Sequence, residues 1–158
     1  MLVQNYASLP AVFVSPDNLQ YSDQPTDSRS NGVAEKPNKQ KRKALIVDDV
    51  EDVTEMLSVL LTHANFDVAT SQSAAGALAL ARQKHYDVVI SDIGMPEMNG
   101  YQLVEMLRKM PGYDTVPIIA LTGYSMFNDR EKSESAGFTA HMTKPIDPRA
   151  LLELIDQL

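Results

Sequence analysis

Five polar residues each close a short run of mainly apolar residues: Asp48 and Asp49 after ALIV, Asp92 after VVIS, Thr122 after IIAL, and Lys144 after AHMT. A single Asp in such a place is usually a turn former or a helix cap. The adjacent pair Asp48-Asp49 is harder to dismiss, because neighbouring anions repel and each raises the cost of desolvating the other. Three carboxylates gathered at one point need a cation among them. The matching hard cation is Mg2+, with Mn2+ a chemically acceptable substitute, held by one or two carboxylates, waters and phosphate oxygens. A hydroxyl and an ammonium beside that metal suit the oxygens of a phosphoryl group. Asp is itself a phosphoryl acceptor, forming an acyl phosphate. Such chemistry rests on positioning and charge neutralisation.

For these residues to meet, their runs must be parallel strands of one sheet, whose C-terminal ends share an edge. The pattern from Ala44 onward predicts that arrangement. ALIVDD (44–49), FDVATS (66–71), YDVVISD (86–92), VPIIALTG (116–123) and FTAHMTK (138–144) read as strands. Between the first two, Val53, Met56, Leu57, Leu60, Leu61 and Ala64 recur at the spacing of one helix face. Ala74, Ala77, Leu78 and Ala81 form a second stripe; Leu103, Val104, Leu107 and Met110 form a third, stopped near Pro111-Gly112. Residues 125–135 read as a polar, poorly patterned helix. Pro148 suits the start of a last helix with Leu151, Leu152, Ile155 and Leu158 on one face. Strict βα alternation predicts an α/β fold, a parallel sheet with helices on both faces. The nearly all-apolar first, third and fourth strands fit its centre, and the more polar second strand an edge.

Residues 1–43 differ. They are rich in Ser, Asn, Gln, Asp and Pro, end in the basic run KPNKQKRK, and are expected to be a mostly disordered extension or linker. That run is a solvated lead-in or a contact for an acidic surface. The folded domain is expected over 44–158. The net charge of −7 argues against nucleic acid as a direct partner. No apolar stretch approaches the ~20 residues of a membrane span. The absence of cysteine excludes disulfides and thiolate metal sites, and fits a cytoplasmic protein.

The motifs LIVDD (45–49), SDIGMPEMNG (91–100), ALTGY (120–124) and MTKP (142–145) occur in one order and strand context. Together they resemble a bacterial response-regulator receiver domain, across residues 44–158 and none of 1–43. The resemblance implies a flavodoxin-like (βα)5 sheet with strand order 2-1-3-4-5. It implies Asp92 as the phosphorylated residue. Asp48, Asp49 and Asp92 would hold Mg2+, with the backbone carbonyl of Gly94 as a further ligand. Lys144 would pair with the acceptor and then with the phosphoryl oxygens, and Thr122 would bond the phosphoryl group and move with it. Pro96 and Gly100 would fix the path of the loop beside the metal. The Lys144-Pro145 bond is expected to be cis.

By the same resemblance the phosphoryl donor is a phosphohistidine on a histidine kinase or a histidine phosphotransfer protein. The domain would assist its own phosphorylation and dephosphorylation without being a dedicated enzyme. The readout would be a shift of the surface formed by the 125–135 segment, the fifth strand and the last helix, controlling a downstream protein partner. A monomer or a weak, phosphorylation-linked dimer is expected, with no direct DNA or membrane binding. One position departs from the usual pattern. His141 stands where the family carries Tyr or Phe; it is either a smaller, titratable switch residue or a strand histidine without that role. Gly94 and Tyr124 occupy positions that tune the lifetime of the acyl phosphate. The first lacks a side chain to orient water and the second could shield the phosphate, so slow self-dephosphorylation is expected.

Other metal and nucleotide chemistries fit less well. DDVED is not the DxDx[TV] of a haloacid-dehalogenase-type phosphatase. DIGMPEMNG fails the calcium-loop pattern at Gly94 and Pro96, and the seven glycines form neither nucleotide-binding signature. His63, His85 and His141 lack metal-ligand spacing. Three contexts stay open: a stand-alone regulator, the C-terminal receiver of a hybrid histidine kinase, or a scaffold that binds partners without phosphate.

Overall fold

The computed structural model describes residues 40–123 and 135–158. The extension before residue 40, Tyr124 and most of the 125–135 segment lie outside the described residues. Five strands follow in chain order: β1 Lys43–Val47, β2 Asp67–Ser71, β3 Val88–Asp92, β4 Ile118–Thr122 and β5 Ala140–Thr143. Four helices are described: α1 Glu51–His63, α2 Ala74–Gln83, α3 Gly100–Arg108 and α4 Pro148–Gln157. All strand pairs are parallel, in the order β2-β1-β3-β4-β5, as the resemblance implies.

Strand alternation sorts the core into two layers. Leu45, Val47, Val89, Ile118 and Ala120 face one side, where Ala77, Leu78, Leu103, Val104 and Leu107 of α2 and α3 cover them. Ala44, Ile46, Val88, Ile90, Ile119 and Leu121 face the other, under Leu57 and Leu61 of α1 and Leu151 and Ile155 of α4. Helices therefore cover both faces, and β1, β3 and β4 are almost wholly buried. No helix among the described residues is long and apolar enough to cross a membrane.

Several boundaries differ from the sequence pattern. Each strand is shorter than its apolar run, so Asp48, Asp49 and Lys144 stand just beyond a strand end. The buried face of α1 is centred on Thr54, Leu57 and Leu61, and Met56 is exposed. Thr54 is tolerated there because its hydroxyl donates to the Glu51 carbonyl at 2.8 Å, within the helix. Leu158, expected on the inner face of the last helix, lies past its end and is exposed.

Candidate functional site

The ladder of the sheet runs one residue past the strand ends and so fixes the site. Asp48 N–H donates to Ser71 O at 3.1 Å, Ile93 N–H to Leu121 O at 3.1 Å, and Lys144 N–H to Thr122 O at 2.8 Å. Backbone bonds thus set where Asp48, Asp92 and Lys144 begin, before any side chain is considered. The loop after Asp92 ends at Asn99, which caps α3. Its side chain accepts from Gln102 N–H at 3.0 Å, while Gln102 Oε1 accepts from Asn99 N–H at 3.1 Å.

The side chains converge. Lys144 Nζ lies 2.7 Å from Asp48 Oδ2 and 2.8 Å from Asp92 Oδ1. Asp48 is fully buried and its other oxygen accepts from Val50 N–H at 3.0 Å. Asp92 is buried to 7% exposure. Burial opposes the charge on Lys144, but the hydrogen bonds to Asp48 and then Asp92 outweigh it, and its pKa moves up. Thr122 is buried at the end of β4, in register with Thr143. Asp49 is exposed, one residue beyond Asp48. Gly94 is exposed beside Asp92; a side chain there would begin 3.4 Å from Asp92 Oδ2. The Lys144-Pro145 peptide is cis, as expected.

Two buried carboxylates share one ammonium, so the cluster is short of positive charge. Asp48, Asp49, Asp92 and the Gly94 carbonyl offer oxygen ligands, the type that Mg2+ takes. Among the described residues no three carboxylates or imidazoles already close round a metal position.

His141 is half-buried in β5, paired in register with Ala120, its ring 6.2 Å from that of Phe138. Tyr124 lies outside the described residues. Motif reading passed over Ser91, whose buried hydroxyl donates to the Asp92 carbonyl at 2.9 Å. The signal was there: one hydroxyl in an otherwise apolar strand.

Comparison with known proteins agrees with this geometry. The response regulator receiver domain family matches residues 44–156. The chain is 36% identical over 113 residues to the uncharacterized 14.6 kDa protein in the sodA1 3' region of Leptolyngbya boryana, covering 72% of this chain and 86% of that protein. It spans about half the length of two further curated relatives. Among solved structures it is similar to the chemotaxis response regulator CheY4 of Vibrio cholerae, with 32% identity, a TM-score of 0.70, and coverage of 74% of this chain and 98% of that one. It is also similar to the receiver domain of the sensor histidine kinase PA1611 of Pseudomonas aeruginosa PAO1, which has a magnesium ion coordinated in its active site cleft. That likeness has 25% identity, a TM-score of 0.68, and coverage of 74% and 96%. Motifs, sheet order and the Asp48–Lys144–Asp92 cluster point the same way: the chain belongs to the response regulator receiver domain family of two-component signalling.

Proposed function

We propose that Asp92 is a phosphoacceptor that takes its phosphoryl group from a phosphohistidine on a histidine kinase or histidine phosphotransfer protein. The observation that carries this reading is the Lys144 ammonium set between Asp48 and Asp92 at 2.7 and 2.8 Å. An Asp92 carboxylate oxygen forms the new P–O bond as the N–P bond of the donor breaks, and the leaving imidazole takes up a proton. Lys144, already aimed at Asp92, follows the charge onto the phosphoryl oxygens. Thr122 offers its hydroxyl from the end of β4. Asp48, Asp49, Asp92 and the Gly94 carbonyl would hold Mg2+, which when bound neutralises charge on the transferring group.

The domain assists its own phosphorylation and is not a dedicated enzyme. Its output is a change in protein binding, through β5, α4 and the segment before β5, in a cytoplasmic pathway without direct DNA or membrane contact. It acts as a monomer or a weak, phosphorylation-linked dimer, on its own or as the receiver part of a hybrid kinase. Intact-protein mass after incubation with acetyl phosphate tests the reading. Wild type should gain one phosphoryl group that requires both Mg2+ (or Mn2+) and Asp92, and Asp92→Ala should gain none. No gain with acetyl phosphate or with a phosphorylated histidine kinase would favour phosphate-independent docking.

A further inference from the structure

We propose that Gly100 and Ser91 are positioning residues for the acceptor, fixing the Asp92 main chain and through it the carboxylate that faces Lys144. The inference rests on the reading of Asp92 as phosphoacceptor. Gly100 is the first residue of α3, and its N–H donates to the Ile93 carbonyl at 3.0 Å. A Cβ at position 100 would overlap the Asp92 carbonyl oxygen and stand 2.9 Å from Ile93 Cα. Both are backbone atoms of buried residues and cannot swing aside. The positive-φ glycines of the described chain are Gly112 and Gly137. Contact, not conformational freedom, therefore demands glycine at 100.

The same Asp92 carbonyl accepts the buried Ser91 hydroxyl at 2.9 Å. The Asp92-Ile93 peptide is thus held by a helix packed directly on it and by a side chain of its own strand. It is the peptide from which the acceptor carboxylate springs. An Ala at position 100 has to push α3 and this peptide apart by about 1 Å, a displacement that costs about 10²-fold in rate when it misaligns reacting groups.

The test uses the full chain and acetyl phosphate as donor, with phosphoryl uptake followed by intact mass over a range of donor concentrations. Gly76→Ala is the control. It too adds a methyl in the first turn of a helix, but against the Ser71 hydroxyl at 2.6 Å, a side-chain atom that can rotate away. Gly100→Ala should lower the maximal rate by about 10- to 100-fold. The donor concentration for half-maximal rate should be unchanged, and Gly76→Ala should keep the wild-type rate. Ser91→Ala, which adds no volume, should slow uptake by about 2- to 10-fold, as expected for one hydrogen bond. A folded Gly100→Ala with the wild-type maximal rate overturns the proposal. If Gly100→Ala does not fold, Ser91→Ala decides: wild-type rate overturns the proposal, a slowed rate upholds it. Wild type that takes up no phosphoryl group from any donor sinks the acceptor reading itself, and the inference with it.

Discussion

The Lys144 ammonium stands 2.8 Å from Asp92 Oδ1 while Asp48 holds it from 2.7 Å away. Removing it leaves two buried carboxylates facing each other. Lys144→Met should destabilise the domain by about 2–4 kcal/mol in urea unfolding. That is somewhat below the usual cost of breaking a fully buried pair, because the lysine side chain is 27% exposed. Much of that loss is repulsion, so Lys144→Met made in an Asp92→Asn background should cost at least ~1 kcal/mol less. Equal losses in both backgrounds would show that Lys144 and Asp92 are not coupled.

Arg108, on the last turn of α3, is a second cation with a fixed task. Its guanidinium donates to the carbonyls of Tyr113 at 2.5 Å, Val116 at 2.7 Å and Gly137 at 2.9 and 2.7 Å. It therefore ties α3 to the approaches of both β4 and β5. Arg108→Met should cost about 2–4 kcal/mol, since hydrogen bonds to a charged donor are worth about 1.5–3 each and are not additive. Arg108→Lys should recover little of it, because one ammonium cannot match the planar fork. Urea midpoints of the two variants check this; full recovery by Lys would mean that charge alone matters.

These two cations were not equally legible in the sequence. Lys144 closes a strand within MTKP, and its motif marks it. Arg108 looks like any basic residue at a helix end, because its carbonyl partners carry no side-chain signature and Gly137 is 29 residues away. The five apolar runs and their βα alternation made the fold class legible, yet nothing in their period distinguishes the order 2-1-3-4-5 from another. That order came from likeness to a family. Adjacent letters also hid a difference: Asp48 continues the β1 ladder and is buried, whereas Asp49 is exposed. Periodicity likewise chose Met56 for the inner face of α1, where Thr54 sits because its hydroxyl is satisfied within the helix.

Tyr113 is one of several groups, with Tyr86 and Lys144, whose raised pKa ties stability to alkaline pH. The Tyr113 hydroxyl accepts from Tyr86 N–H and donates to the Lys84 carbonyl, both at 3.2 Å, joining the loop before β3 to the loop before β4. Burial pushes its phenol up from the ordinary 10.0, and the Tyr86 hydrogen bond opposes that only in part. A raised folded-state pKa contributes stability that is complete below pH 10 and lost as pH climbs through the folded value. Tyr113→Phe should lower stability at neutral pH by about 1–3 kcal/mol, because it strands a buried N–H. It should also flatten the fall in stability above pH 10. Urea midpoints from pH 7 to 11 test both; an unchanged alkaline slope in the variant would assign the fall to other groups.

Gly94 is expected to influence how long an acyl phosphate on Asp92 lasts, if Asp92 is the acceptor. The position is exposed, and a side chain there begins 3.4 Å from Asp92 Oδ2, in ordinary contact and without strain. The native glycine brings no group that could hold a water against the acyl phosphate. Gly94→Asn would add an amide that can orient one, and placing a reactant is worth orders of magnitude when alignment is good. A single flexible amide at the rim achieves only part of that. The phosphorylated variant should decay about 3- to 10-fold faster than wild type, with uptake still dependent on Asp92. Mass spectra taken through the decay, after the donor is removed, give both rates directly. Equal lifetimes would mean that access of water to Asp92 is set elsewhere in the site.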